Sequence, residues 1–320
     1  MHTSLRSRLY WLGLGIGLLF FFGQILRGYQ VFLTLTLDVS LLVRLSSAML
    51  AGLLALGFQM VAWRFLMCDL GVTLTWRSVI DGYMLSFLPR YIPGSVWGYL
   101  SRSEWLKRSH KVPYALSSVG SALEVGVALV TGSAVLGFYY FLNTSGLARI
   151  SLLCFEISLP LVSWIFLNFV FRSDFVVRNC PTLGQHSAKR INFINWSRIF
   201  FVYVAIWVCY GMLTLILVSQ VDVPLSSSSF VSSTFSFCIS WLIGFLIIFF
   251  PSGLGIREIA LANVLMRVMG IPIESASAIS VFTRLCIASA EALWVSLGII
   301  HSKGIKSQLK PVGDSEINPS

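Results

Sequence analysis

Two long apolar stretches of this chain are each interrupted by proline and glycine, with charged residues at the interruption. The first reads Phe87-Leu88-Pro89-Arg90-Tyr91-Ile92-Pro93-Gly94-Ser95-Val96-Trp97 and runs on to Arg102; the second reads Phe249-Phe250-Pro251-Ser252-Gly253-Leu254-Gly255-Ile256-Arg257-Glu258. Proline removes a backbone donor and glycine loosens a helix, so each break frees polar backbone groups that hydrocarbon cannot satisfy. Such groups persist at membrane depth only inside protein or beside a wet cavity. Two of them in one chain point to a polar site within the bilayer, built from broken helices, with Pro93, Gly94, Pro251, Gly253 and Gly255 as the breaking residues.

The rest of the sequence places those breaks in a membrane. Hydrophobic residues make up 56% of 320 and charged residues 11%, with a mean hydropathy of +0.82, which excludes an ordinary soluble domain. The expected fold is all-α and polytopic. Runs that meet the length of about 20 apolar residues for a spanning helix are 9–26, 45–67, 114–142, 150–171, 199–219 and 275–300. Arg6 and Arg8 precede the first, but no small-x-small cleavage site follows it, so it reads as a retained helix. One broken segment falls between the second and third runs and the other between the fifth and sixth. Whether each re-enters or crosses twice, it contributes an even number of passes.

Orientation follows from the basic residues. With the N-terminus inside, sixteen lysines and arginines fall in cytoplasmic segments and three, Arg27, Arg44 and Arg149, in outer ones. That imbalance predicts cytoplasmic N- and C-termini. The order span, span, break, span then occurs twice with three crossings between equivalent elements, so the second half is expected to be inverted. The pattern predicts one transmembrane domain over 1–302, with halves of about 1–142 and 150–302, and a polar tail over 303–320. In such repeats the site lies near the midplane, where the halves meet.

Charges inside spans cost roughly 2.5–3.5 kcal/mol at a helix centre and usually face a cavity or a partner. Glu124 lies well inside the third run; Arg284 and Glu291 lie in the last, seven residues and about 10 Å apart on one helix face. Arg90 precedes the first break and Arg102 follows it; Arg257 and Glu258 follow the second. Arginines beside helix breaks suit an anionic headgroup, because guanidinium matches phosphate geometry and exposed helix N-termini favour anions. Glu124 and Glu291 would orient those arginines or balance their charge. The alternative is an ion-pair network that only fixes helix packing.

Other features carry blander readings. Glu156 is expected to reach the interface, Trp76, Trp97, Trp105 and Trp196 to anchor there, the serines at 226–229 to form an outer loop, and Lys107, Arg108 and Lys111 to mark the inner side. The net charge of +10 is accounted for by short loops, so no nucleic-acid partner is expected. The six cysteines are scattered without a Cys-x-x-Cys pair, and the four histidines fall in loops or tails. No metal site, cofactor motif, Gly-x-Ser-x-Gly elbow or His-Glu-x-x-His sequence is present, which makes an enzyme the weaker expectation.

At both breaks the chain resembles the flippase-like, or lysylphosphatidylglycerol synthase transmembrane, family. The resemblance rests on Arg90-Tyr91-Ile92-Pro93-Gly94-Ser95-Val96-Trp97 with Arg102, on Pro251-Ser252-Gly253-Leu254-Gly255-Ile256-Arg257-Glu258, and on Glu124 in the span after the first motif. It covers nearly the whole chain. It implies an inner-membrane protein related to the module that moves lysyl-phosphatidylglycerol between leaflets; lysyl transfer itself belongs to a soluble domain that this sequence is expected to lack. Stand-alone members are also associated with envelope polysaccharide and glycolipid assembly. Ser252 stands where another glycine is expected. The resulting expectation is a transporter of an anionic phospholipid or lipid-linked saccharide. Its rivals are a non-transporting subunit that docks envelope glycosyltransferases through the 172–198 loop, and an intramembrane lipid transferase.

Overall fold

A computed structural model describes residues 2–34, 38–87, 89–91, 97–172, 191–221, 223–247 and 250–308. Among them are eleven α-helices and no strand: α1 His2–Arg27, α2 Tyr29–Thr34, α3 Val39–Asp69, α4 Trp76–Phe87, α5 Trp97–His110, α6 Tyr114–Asn143, α7 Leu147–Arg172, α8 Phe193–Val218, α9 Ser227–Leu246, α10 Ile256–Met269 and α11 Ile273–Gln308. Short 3-10 turns at Pro89–Tyr91 and Pro251–Gly253 mark the two breaks. Pro93 and Gly94, and Arg178, Lys189 and Arg190 of the long loop, lie outside the described residues. The backbone of α11 continues as helix to Gln308, past residue 302, where a polar tail was expected to begin.

The chain is an all-α polytopic membrane protein. Among the described residues, six helices, α3, α6, α7, α8, α9 and α11, are long and apolar enough to cross a bilayer. Helix α1, expected as the first span, is 26 residues long, about 39 Å, enough to cross, and α9, taken from sequence as a limb of the second break, also reaches full length. Seven serines dilute the hydropathy of α9, yet several are cheap to bury because their hydroxyls bond their own helix: Ser236 Oγ donates to the Ser232 carbonyl at 2.7 Å and Ser240 Oγ to that of Phe237 at 2.8 Å. The serines at 226–229 are not a loop. Ser226 is the N-cap of α9, its Oγ accepting from Ser229 N at 3.1 Å.

The first broken segment is shorter. Helices α4 and α5, of 12 and 14 residues, extend about 18 and 21 Å, too little for either to cross alone. In the second, the 20-residue α9 reaches about 30 Å and the 14-residue α10 does not.

An antiparallel pair, α3 and α8, forms the centre. Arg44 Nη1 donates to the carbonyl of Ser219, just past α8, at 2.9 Å, and at the other end Asn195 Nδ2 donates to Asp69 Oδ1 at 2.9 Å. Small buried residues Ala48, Ala51, Gly52 and Ala55 on α3 let α8 approach; a Cβ on Gly52 would lie 3.3 Å from Leu213. Around this pair the contacts recur in matched sets. Helix α4 packs on α11 as α9 packs on α6, α1 on α11 as α7 on α6, and the two break turns touch one another.

Helix α7 is peripheral, with Ile157, Phe166 and Phe169 exposed. It is fastened to α8 by Trp196, which is buried with Nε1 donating to the Pro160 carbonyl at 3.1 Å and so is not an interfacial anchor. Glu156 also departs from expectation. It lies nine residues into α7, tucked against Gly137 of α6, where a Cβ would sit 1.9 Å from its Oε1.

Candidate functional site

Both breaks open onto one internal cavity of about 100 Å³, room for several waters at roughly 10–15 Å³ each. The first segment contributes Tyr83, Ser86, Arg90, Tyr99 and Arg102, and the second Ser252 and Arg257. The central pair contributes Gln59 from α3 and Tyr203, Trp207 and Tyr210 from α8, while α6 adds Glu124 and α9 adds Trp241. Of the seven charged residues expected at the site, four line this cavity. The other three, Glu258, Arg284 and Glu291, lie behind it and hold the breaks in place.

On the first segment, Arg102 is buried on α5 and donates through Nη2 to Glu124 Oε2. Its guanidinium lies over Trp63 and Tyr83, each 4.7 Å from the ring centroid. The other oxygen of Glu124 accepts from the Tyr83 hydroxyl at 2.5 Å. Gln59 extends the network, Nε2 donating to the Tyr210 hydroxyl at 3.2 Å. Arg102 is therefore an internal residue, not one of the loop cations that set topology. Glu104 instead forms an exposed pair with Arg108 one helical turn away.

Helix α11 ties both breaks to itself with the two charges that the sequence placed on one face. Glu291 receives Arg90 Nη1 at 3.0 Å and the Tyr91 hydroxyl at 2.7 Å, both from the first break. Two turns away on the same face, Arg284 pairs with Glu258 of α10 at 3.6 Å and reaches the Ser252 carbonyl in the second break turn at 3.4 Å. Glu258 also reaches back to its own helix start, Oε2 accepting from Gly255 N at 2.6 Å. A carboxylate at the N-terminus of α10 thus satisfies a freed donor as well as an arginine.

Arg257 stands apart. It lines the cavity, and no carboxylate among the described residues lies within ion-pair distance of it. Its Nε is buried without a hydrogen-bond partner. Its stem crosses Gly244 of α9, where a Cβ would fall 2.2 Å from Cγ, so the arginine occupies a groove that any side chain at 244 would fill. Four arginines against three carboxylates leave one positive charge in the buried set, and Arg257 carries it.

Sequence reasoning missed Gln59, Tyr83, Tyr99, Tyr203, Tyr210, Trp207 and Gly244. A readable signal existed on α8, where Tyr203, Trp207 and Tyr210 recur at i, i+4 and i+7 and give one face of an apolar span a stripe of polar handles. Gly244 carried no signal, because the close approach of Arg257 is a tertiary fact.

A helical membrane protein with a charged, aromatic-lined chamber between two helix breaks is the class these features define. The model of the family described as lysylphosphatidylglycerol synthase TM region matches residues 10–290, and the chain belongs to that family. No curated protein and no solved structure matches the chain.

Proposed function

We propose that this protein moves an anionic phospholipid or lipid-linked saccharide between the leaflets of the cytoplasmic membrane, the headgroup phosphate being received by Arg257 in the chamber between the breaks. The observation that carries this reading is the placement of one unpaired guanidinium on a cavity shared by both interrupted segments. A phosphate monoanion there would neutralise the surplus charge and supply acceptors to Nε and the terminal nitrogens. Arg90 and Arg102, already engaged by Glu291 and Glu124, would shape the chamber and bias its field towards anions. Glu258 and Arg284 would hold the turn beside the bound headgroup.

The matched packing of the halves and the antiparallel α3–α8 pair favour an inverted repeat that opens to alternate sides, and the excess of lysine and arginine in the expected inner segments favours cytoplasmic termini. Lipid translocation in proteoliposomes tests the reading. Acyl-labelled phosphatidylglycerol should become accessible to an external quencher with the protein present, and Arg257→Ala should slow that transfer at least tenfold. Equal rates in wild type and Arg257→Ala would overturn the proposal.

A further inference from the structure

The charge set and the hydroxyls around the chamber bear on which headgroup it takes. Each of the three carboxylates is already matched to an arginine, Glu124 with Arg102, Glu291 with Arg90 and Glu258 with Arg284. An ammonium group entering the chamber would find no free carboxylate and would meet Arg257, a like charge, in a poorly solvated space. The chamber is therefore matched to one negative charge and mismatched to an amine.

Among its remaining polar groups, most of which are bonded within the protein, two tyrosine hydroxyls stand without a described partner. Tyr203 is 4% exposed, lines the chamber, and has a buried hydroxyl that bonds no described residue. An unpaired buried hydroxyl is expensive unless a ligand or water completes it. The Tyr99 hydroxyl, on the first segment, likewise bonds no described residue. Beside them stand the rings of Trp207 and Trp241, edge to face at 5.3 Å. Aromatic faces beside phenolic hydroxyls suit groups that present C–H surfaces and several O–H groups together.

We infer that the chamber selects a single phosphodiester bearing a hydroxylated, amine-free headgroup, either glycerol or a sugar, with Arg257 on the phosphate and Tyr203 and Tyr99 reading the hydroxyls. The inference rests on the anion-binding reading above and sharpens it. It also separates this chain from the aminoacylated lipid in its family's description, since a lysyl group would bring the charge the chamber is built against.

Calorimetric titration of the full-length protein in detergent tests it, using dihexanoyl lipids that differ only in headgroup. Phosphatidylglycerol should bind about tenfold more tightly than phosphatidylmethanol, which has the same charge and no hydroxyl, a gap of the size one or two neutral hydrogen bonds produce. Tyr203→Phe, which deletes one oxygen that has no protein partner and so leaves the fold intact, should bring that ratio down by about threefold or more. Lysyl-phosphatidylglycerol should bind more weakly than either. Citronellyl phosphoglucose tells the two sources apart: affinity above that of phosphatidylglycerol assigns the site to a sugar phosphate, and affinity below it assigns the site to the glycerol lipid. Equal affinity for phosphatidylglycerol and phosphatidylmethanol in the wild type overturns the hydroxyl selection while anion binding stands. Tight binding of the lysylated lipid overturns the exclusion of amines. If no anionic lipid binds, and Arg257→Ala changes nothing, both this inference and the reading beneath it fail.

Discussion

The two broken segments use the same parts with the signs exchanged. After the first break the short helix carries a cation, Arg102, and the next span its carboxylate, Glu124; after the second the short helix carries the carboxylate, Glu258, and the next span its cation, Arg284. The first pair is sealed, with Arg102 1% exposed beneath two aromatic rings. The second is looser at 3.6 Å and has an extra arginine beside it. The difference separates the two breaks: the first is locked by its charges, and the second leaves Arg257 without a carboxylate among the described residues, the feature on which the proposed headgroup site rests.

The largest effect follows from the locked side. Removing one partner of a buried ion pair leaves a charge with no compensation, at a cost of about 3–5 kcal/mol. Arg102→Ala and Glu124→Ala should each destabilise the protein by that order in thermal or denaturant unfolding in detergent, while Arg257→Ala, which breaks no pair, should change stability little. Similar losses at Arg102 and Arg257 would erase the contrast between the segments.

The backbone of the second break sets the next effect. Gly255 has φ 82°, and a Cβ there would lie 2.4 Å from the Gly17 carbonyl oxygen of α1. Gly255→Ala meets both a disfavoured conformation, costing about 1–2 kcal/mol, and a backbone clash that forces α1 away. A loss of about 2–3 kcal/mol is expected, measured as above; a neutral Gly255→Ala would show that α1 is not seated on this turn.

Much of this was legible in sequence, and what was not has physical reasons. Proline and glycine punctuation located both breaks because backbone donors and φ freedom are local properties. The charged residues gathered as expected because burial in lipid demands partners. Pairing was less accessible: Arg284 and Glu291, taken as one face, serve opposite breaks, since spacing along a helix gives the face and not the neighbour. Length misled at α9, where serines bonded to their own helix made a spanning segment look polar. Trp196, read as an interfacial anchor, is buried because the backbone of Pro160 offers its indole an acceptor. The tyrosine stripe on α8 was missed because periodic aromatics in an apolar run are more often packing than site.

Ser252 gives the smallest effect and the sharpest comparison, because it is the position where the sequence led us to expect glycine. It adopts φ 53°, ψ 21° inside the break turn, a left-handed conformation that costs a side-chain-bearing residue about 1–2 kcal/mol relative to glycine. Its carbonyl receives Arg284, so the backbone there is held by the network and not by the preference of serine. Ser252→Gly keeps that carbonyl and relieves the strain, but glycine also gains freedom in the unfolded chain, which offsets part of the gain. A net stabilisation of about 0.5–1 kcal/mol is expected from unfolding in detergent. Translocation separates two roles for the strain: if it only reflects packing, Ser252→Gly transports at the wild-type rate, and if it lets the turn release Arg257 and the headgroup, the stabilised variant transports more slowly.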